Sequence, residues 1–293
     1  MNHELTRKLA AAVEAMPAFP NSVRKIIELT SNIACPPKDL VQVIDTDPVL
    51  ALRLLRVVNS SYYGLASRLT SVSHAVVFMG INTIKNLALS VAAIGMMPAR
   101  NAAGFDVQQY LQHSLSTAGI AKQLAARTAD ADPNDCFMAG LLHDFGKVVF
   151  AQCMPAEFAL ALEMSKEYDL SLHLTLRKVA GVDHASVGAA LVEKWRFPEP
   201  LVETIRYQYG PDLPDTPGIA VVFAANQISK KLGLGFAGNV CIETLTPAMT
   251  ARLGGDLDHL IGQLTNLGRF SQEAKILVPF ADGEPGAAAA SPV

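Results

Sequence analysis

Residues 36–64, with the sequence PPKDLVQVIDTDPVLALRLLRVVNSSYYG, decide the fold class of this chain. Apolar residues in this stretch recur at three-and-four spacing, which is the period of an amphipathic α-helix. The spacing predicts a short helix over about 38–44 and a second helix that ends near Asn59. Asp47 is the expected N-cap of the second helix, because Pro48 suits the first helical position. The stretch is therefore expected to form two helices joined by a polar turn.

The helical period continues through nearly the whole chain, while alternating strand patterns and Asn-Gly hairpin signals are missing. The sequence therefore predicts an all-α protein. The stretch MMPARNAAGFD combines proline and glycine with small residues, which is typical of a joint between subdomains. We expect a helical N-terminal subdomain over 1–103 and a second helical subdomain over 104–235. A helical extension is expected over 236–280, and the tail over 281–293 lacks the apolar residues needed to order itself.

Capping residues mark several helix boundaries in the second half of the chain. Asp106 and Asp183 each precede an apolar-periodic run and are expected N-caps, and Pro155 is an expected helix opener. Asn134 or Asp135 is expected to cap the helix that contains AGLLHDFGK. Glycine ends many helices, and this helix is therefore expected to end at Gly146. These boundaries give the second half of the chain longer helices than the first half.

Composition excludes several classes of protein. The chain has 293 residues, half of them hydrophobic and 17% charged, so it can bury a large core. A net charge of -3 gives no basic field for nucleic acid, and no run of basic residues indicates a membrane surface. The four cysteines show no C-x-x-C spacing and sit mostly among apolar neighbours, which indicates reduced thiols. We expect a soluble cytoplasmic protein that binds neither nucleic acid nor membrane.

Residues 139–150, AGLLHDFGKVVF, place a histidine and an aspartate in an apolar setting. Burying an imidazole and a carboxylate is costly unless they are paired, hydrogen-bonded or bound to a metal. A divalent cation could take nitrogen from His143 and oxygen from Asp144. His113 is a further candidate ligand, because its helix should pack antiparallel to the helix of His143. His184, in the first turn of a later helix, is another.

The order His, His-Asp, His resembles the HD superfamily of metal-dependent phosphohydrolases. The wording AGLLHDFGKVV is close to the HD-GYP branch, which cleaves cyclic dinucleotides, although the GYP signature is absent. This chain departs from the pattern where Tyr207 and Gln208 replace an expected His or His-His pair. It departs again where Asn226 replaces the closing aspartate. These changes imply a weakened metal site and argue against a two-metal clamp on the attacking and leaving oxygens.

The first half of the chain points to a narrower family. MPAFPNSVRKIIEL at 16–29, followed by the run from Asp39 to Ala92, strongly resembles HDOD domains, the HD-related output domains of bacterial signalling proteins. The resemblance covers roughly 14–230 and implies a non-catalytic output or interaction module whose partners are other signalling proteins. The alternatives are a weak metal-dependent phosphohydrolase acting on cyclic dinucleotides, or a sensor that binds a nucleotide or metal without turnover. Whether the chain is an enzyme stays open.

The resemblance also implies a set of site residues. The expected metal ligands are His113, His143, Asp144 and His184, with Asn226 as a weak ligand. They could hold one divalent ion such as Fe, Mn, Mg or Ni, or they could form a metal-free cluster of hydrogen bonds. Lys147 could meet a phosphate in an HD-GYP-like pocket, or it could only neutralise the end of its helix.

A loop in the first half is the candidate partner surface. The segment NSSYYGLASRLTS supplies Tyr62, Tyr63 and Arg68, which are residue types common in protein interfaces. At least one of the two tyrosines is expected to be partly exposed. Asn59 is expected to play a structural part as a helix cap. The remaining histidines are not proposed as ligands: His74 is expected in a first helical turn, and solvated or loose positions are expected for the others, His3, His173 and His259.

Overall fold

The structure is a computed structural model, and it describes residues 3–16, 21–30, 36–60, 63, 65, 67–95, 101–209 and 213–265. The described residues form sixteen helices and no strand, which confirms the predicted all-α class. The helices, in chain order, are α1 His3–Ala15, α2 Asn21–Thr30, α3 Pro37–Asp45, α4 Pro48–Val58, α5 Val72–Met79, α6 Ile81–Gly95, α7 Val107–Ala125, α8 Pro133–Leu142, α9 Phe145–Cys153, α10 Pro155–Glu167, α11 Leu172–Ala180, α12 His184–Lys194, α13 Glu199–Arg206, α14 Pro217–Lys231, α15 Pro247–Leu253 and α16 Leu257–Gln263.

The helices group into two compact units. The first unit contains α2 to α6, and the second contains α1 together with α7 to α16. The placement of α1 differs from the predicted division, which joined it to the N-terminal subdomain. The physical reason is that α1 packs against α9 and α12, where the Lys194 ammonium donates to the carbonyl oxygen of Val13 at 2.9 Å. The predicted extension groups with the second unit as far as Thr265, and the predicted tail lies outside the described residues.

The first unit follows the caps that its sequence predicts. Pro48 opens α4, and the Asp47 carboxylate accepts a hydrogen bond from the backbone N–H of Leu50 at 3.0 Å. The second oxygen of Asp47 accepts from the Ser22 hydroxyl at 2.7 Å, which ties α2 to the start of α4. Gly80 joins α5 to α6 with a φ of +82°, a conformation that costs a residue with a Cβ more than it costs glycine.

The second unit has α7 at its centre, packed against α8 and α14. Asp106 and Asp183 cap α7 and α12 as predicted. The predicted cap of α8 is wrong, because Asp132 takes this role and accepts from two backbone N–H groups, at 2.7 and 2.9 Å. Pro133 explains the difference, since a proline at the first helical position leaves the preceding residue extended and able to cap.

The predicted end of a helix at Gly146 is also wrong. Helix α8 ends at Leu142, and a new helix, α9, begins at Phe145 and runs through Gly146. The glycine is needed for a different reason: a Cβ at this position would lie 1.9 Å from the carbonyl oxygen of His184. Gly146 therefore allows α9 to cross the first turn of α12 at close range, and the His-Asp dipeptide occupies the break between α8 and α9.

Candidate metal centre

Five ionisable side chains of the second unit meet at this break, and we call them the polar cluster. The cluster consists of His113, His143, Asp144, Lys147 and His184. Helix α7 supplies the first, the break between α8 and α9 supplies the His-Asp pair, and the first turns of α9 and α12 supply the last two. Each of the five side chains is at most 1% exposed. Because buried charges are stable only when paired, the contacts within the cluster decide its chemistry.

Asp144 is the centre of the cluster. One carboxylate oxygen, Oδ2, lies 2.5 Å from Lys147 Nζ, 3.2 Å from His143 Nε2 and 3.8 Å from His113 Nε2. The other oxygen, Oδ1, lies 3.1 Å from His184 Nε2. The structure thus brings all four predicted ligands together, with His184 on the opposite oxygen from the other two histidines.

The hydrogen bond of His143 fixes which of its nitrogens carries the proton. Nδ1 lies 2.7 Å from the carbonyl oxygen of Gly140, which can only accept, so Nδ1 must donate. Nε2 is the nitrogen that faces the Asp144 carboxylate, and it can coordinate a metal when it carries no proton. The Nε2 atoms of His113 and His143 are both buried without a hydrogen-bond partner. A metal ion between these two nitrogens and the Asp144 carboxylate would give all three groups a partner.

Burial sets the charge states of the cluster. It lowers the pKa of His113 well below its ordinary value and that of His184 to about 4. Both rings are therefore neutral near pH 7. Burial alone would raise the pKa of Asp144, but His143 and Lys147 hold it well below its usual range. Burial lowers the pKa of Lys147, and the carboxylate of Asp144 counteracts this effect.

Part of the cluster fits a metal ion. His113, His143 and Asp144 can each offer one donor atom, and these three atoms lie within 4.8 Å of one another. Two imidazoles and a carboxylate suit Fe, Mn, Ni or Zn, whereas Mg prefers oxygen donors. The cluster could therefore hold one divalent metal through these three residues. The ammonium of Lys147 already occupies the oxygen that faces the two imidazoles, and it opposes a second positive charge.

The residues that depart from the hydrolase pattern have structural partners. Gln208 is buried, and its side-chain amide donates to the carbonyl oxygens of His143 at 2.6 Å and Ile205 at 2.9 Å. Tyr207, beside it, is exposed. Asn226, the predicted weak ligand, donates through its side-chain amide to the Tyr209 hydroxyl at 3.2 Å. Through these hydrogen bonds, Gln208 and Asn226 fix the position of residues in and around the cluster.

Two residues that the sequence pattern did not indicate, Tyr209 and His173, also lie at the cluster. The Tyr209 hydroxyl lies 3.4 Å from His184 Nε2, and the Tyr209 ring stacks on His173 with 4.3 Å between ring centroids. His173 was expected at a solvated position, and this prediction is wrong because α11 buries it against Tyr209. Its helical spacing from Leu176 and Ala180, which are also buried, is a sequence signal that could have placed it inside.

The predicted partner surface is only partly within the described residues. Tyr62 lies outside them, Tyr63 is half-buried and Arg68 is exposed. Asn59 follows α4 and closes the loop, because its side-chain amide donates to the carbonyl oxygen of Leu69 at 2.8 Å and its oxygen accepts from the Leu69 N–H at 2.7 Å. The structural part predicted for Asn59 is confirmed.

The fold and the buried His-Asp cluster define an HD-related helical protein, and comparison with known proteins identifies its family. The model of the HDOD domain matches residues 16–211, so the chain belongs to the HDOD family. An uncharacterized protein of Treponema pallidum (strain Nichols) is 31% identical over 217 residues, which cover 72% of this chain and 41% of that protein. The chain thus spans less than half the length of this curated relative.

Three crystal structures are similar to the chain. An HDOD domain protein of unknown function from Geobacter sulfurreducens has a TM-score of 0.77 at 23% identity and covers 94% of this chain and 97% of its own. A candidate phosphohydrolase from Shewanella amazonensis SB2B has a TM-score of 0.71 at 23% identity and covers 92% and 98%. These two likenesses show the fold alone. A candidate signal transduction protein from Marinobacter aquaeolei VT8 has a TM-score of 0.77 at 25% identity and covers 96% and 66%.

One further observation concerns membranes. In the part of the chain that the structure describes, every helix is too short or too polar to cross a bilayer.

Proposed function

We propose that this chain is a non-catalytic interaction module of bacterial signal transduction in which the HD site is closed. The observation that carries the proposal is the burial of the polar cluster, in which no side chain is more than 1% exposed. Hydrolysis of a phosphodiester requires the reacting phosphate to touch the residues that activate water and neutralise charge. Because the side chains that could activate water or neutralise charge are all buried, a phosphate cannot contact them.

The two residues that depart from the hydrolase pattern, Gln208 and Asn226, support the same proposal. Two-metal hydrolysis needs ligands for a second ion that stabilises the leaving oxygen. Gln208 stands where the hydrolase pattern places a histidine, and its amide is committed to the carbonyl oxygens of His143 and Ile205. Asn226 offers no charge and donates to Tyr209. We therefore infer that the chain has no ligand set for a second metal.

A single metal is compatible with this function. His113, His143 and Asp144 would hold it, and a bound ion would supply the positive charge that their lone pairs face. Fe, Mn or Ni fits these donors better than Mg does. In the proposed module the ion would have a structural role, because the closed cluster excludes a substrate.

We propose that the partners are other signalling proteins and that the module works in the cytoplasm. Its similarity to the candidate signal transduction protein from M. aquaeolei supports a signalling role. Tyr62, Tyr63 and Arg68 remain the proposed contact surface, and the exposure of Arg68 is compatible with it. A non-obligate contact that uses tyrosine and arginine anchors is of the kind expected for a transient signalling complex.

The alternative is a weak metal-dependent phosphohydrolase that acts on a cyclic dinucleotide. The three metal donors favour it. In that case Lys147 would have to leave Asp144 and turn toward a phosphate, and the cluster would have to open.

A hydrolysis assay separates the two functions. The protein is incubated with cyclic di-GMP and Mn²⁺, Fe²⁺ or Ni²⁺, beside the variants His143→Ala and Glu203→Ala. Glu203 is an exposed carboxylate on α13 and serves as the matched control. We expect no turnover above the buffer for any of the three proteins. Turnover near ordinary enzyme rates, about 1 s⁻¹ or faster, that is lost only in His143→Ala would overturn the proposal.

A further inference from the structure

We infer that Lys147 is an internal cation that takes the place of a metal ion at Asp144 Oδ2. This inference rests on the proposed function, since it gives the buried carboxylate of the closed cluster a cation that the chain itself supplies. It also assigns Lys147 a role other than binding phosphate. In this account the intact protein binds divalent transition metals weakly, and removal of the ammonium makes the same residues a metal site.

The first argument is the position of the ammonium. Lys147 Nζ lies 2.5 Å from Asp144 Oδ2, which is the oxygen that also faces His143 Nε2 and His113 Nε2. Metal–carboxylate bonds to ions such as zinc are about 2.0–2.2 Å long. An ion bound to the two imidazole nitrogens and to this oxygen would have to share the oxygen with the ammonium of Lys147. The two cations compete for one oxygen.

The second argument is the charge balance of the cluster. The carboxylate of Asp144 and the ammonium of Lys147 form a fully buried ion pair, with 2.5 Å between Oδ2 and Nζ. A divalent ion added beside Lys147 would leave buried positive charge without a counter-ion, which is costly in a medium of low dielectric constant. If the ammonium is removed, the same ion meets a carboxylate that has lost its partner.

The third argument is the burial of Lys147 itself. Its side chain is fully buried and lies in the first turn of α9, where it reaches back three residues to Asp144. A lysine that serves a phosphate must present its ammonium to the ligand. The geometry of Lys147 directs its charge to Asp144 instead.

The test is metal binding by Lys147→Met, a variant that keeps an unbranched chain without charge. The matched control is Lys230→Met, because Lys230 is half-buried and its Nζ contacts the carbonyl oxygen of Cys241 at 3.3 Å. Binding of Ni²⁺ and Mn²⁺ is measured by titration calorimetry, and the metal retained after desalting is measured by elemental analysis. An opposite charge shifts the proton affinity of a carboxylate by about 10- to 1,000-fold, and a gain in metal affinity of similar size is expected for Lys147→Met.

A double variant shows whether the gain uses the predicted donors. His113→Ala combined with Lys147→Met should lose the affinity gained by Lys147→Met, and Lys230→Met should bind like the wild type. Stoichiometric tight binding by the wild type, or no gain in Lys147→Met, would overturn the inference. A gain that survives His113→Ala would overturn it too, because the ion would then lie elsewhere.

A refolding experiment tests the inference if Lys147→Met does not fold. If Lys147→Met does not fold in chelator, it is refolded with and without Ni²⁺, beside Lys147→Gln. Recovery of helical circular dichroism only with Ni²⁺ supports the inference, and failure to recover in both conditions contradicts it. The hydrolysis assay on the wild type is independent of these outcomes. Turnover there would reject the proposed function, whereas a missing gain in metal affinity rejects only the role of Lys147.

Discussion

The two units differ in the kind of residue that departs from ordinary burial. The second unit buries ionisable side chains, and the first unit exposes apolar ones. In the second unit, five ionisable side chains are buried together around Asp144. In the first unit, large apolar side chains face outward, among them Val77 at 81% exposed and Phe78 at 70% exposed on α5. Buried polar groups and exposed apolar groups are the informative exceptions to ordinary protein surfaces.

This difference in burial indicates which unit has the residues for chemistry and which has a surface for recognition. The cluster has the residue types of a hydrolytic site, but its side chains are buried and contact one another between α7, α8, α9 and α12. The first unit has few buried ionisable groups among its described residues, and its exposed apolar side chains are available for contact with other molecules. A module that signals by binding is consistent with both.

The largest expected effect comes from removing the centre of the cluster. Asp144→Ala would leave the buried Lys147 ammonium without a counter-ion, and breaking a buried pair in this way costs about 3–5 kcal/mol. Chemical denaturation monitored by circular dichroism measures the free energy of unfolding. Glu203→Ala, which removes an exposed carboxylate, should change it little. Equal stability of the two variants would mean that the cluster is solvated.

A somewhat smaller loss is expected at the close crossing of α9 and α12. Gly146→Ala would place a Cβ 1.9 Å from the His184 carbonyl oxygen, so the helices must move apart, at a cost of about 1–3 kcal/mol or more. Gly262→Ala is the control, because a Cβ at this position of α16 meets nothing within 4 Å. The control should be neutral or slightly stabilising in a thermal melt. If Gly146→Ala had the same melting temperature as the wild type, the close approach of α9 to α12 would be contradicted.

The first unit should be sensitive at the clamp that closes its loop. Asn59→Ala removes hydrogen bonds to Leu55 and Leu69 and leaves backbone groups without partners, at a cost of about 1–3 kcal/mol. Ser67→Ala, at an exposed position of the same loop, is the control. Hydrogen exchange should show faster exchange around Leu69 only in Asn59→Ala. Unchanged exchange there would show that the loop is held by other contacts.

The smallest expected effect is a pH dependence at the edge of the cluster. Burial lowers the pKa of His173 below its ordinary value of 6.5, so the unfolded chain takes up a proton at a pH where the folded protein does not. Stability should therefore fall as the pH decreases below about 6.5, and His173→Gln should flatten this slope. Ser67→Ala, at an exposed position and without a titrating group, should leave the slope unchanged. Parallel slopes for wild type and His173→Gln would contradict the burial of this ring.

Much of the fold could be predicted because its signals are local. The cap at Asp47 and the helix start at Pro48 depend on a few neighbouring residues and were predicted correctly. The break between α8 and α9 was missed, because the contact that requires Gly146 comes from α12, about forty residues further along the chain. The cap of α8 was missed for a local reason, since Pro133 makes Asp132 the better cap than its successors.

The candidate site was predictable in its members but not in its arrangement. His113, His143, Asp144 and His184 were selected from the pattern, and the structure brings them together. The contact between Tyr209 and His184 could not be predicted, because it depends on how separate elements pack. Lys147 and Asp144 are only three residues apart, and this spacing of opposite charges is a local signal from which their ion pair could have been predicted.

The most direct test of the closed site is chemical modification of its histidines. Diethyl pyrocarbonate reacts with neutral imidazole that it can reach, and peptide mass spectrometry reports each histidine separately. We predict that His113, His143 and His184 stay unmodified during the time in which the exposed His74 reacts, with or without Mn²⁺ and cyclic di-GMP. Modification of His143 as fast as that of His74, together with protection by cyclic di-GMP, would contradict the account and show an open site that binds substrate.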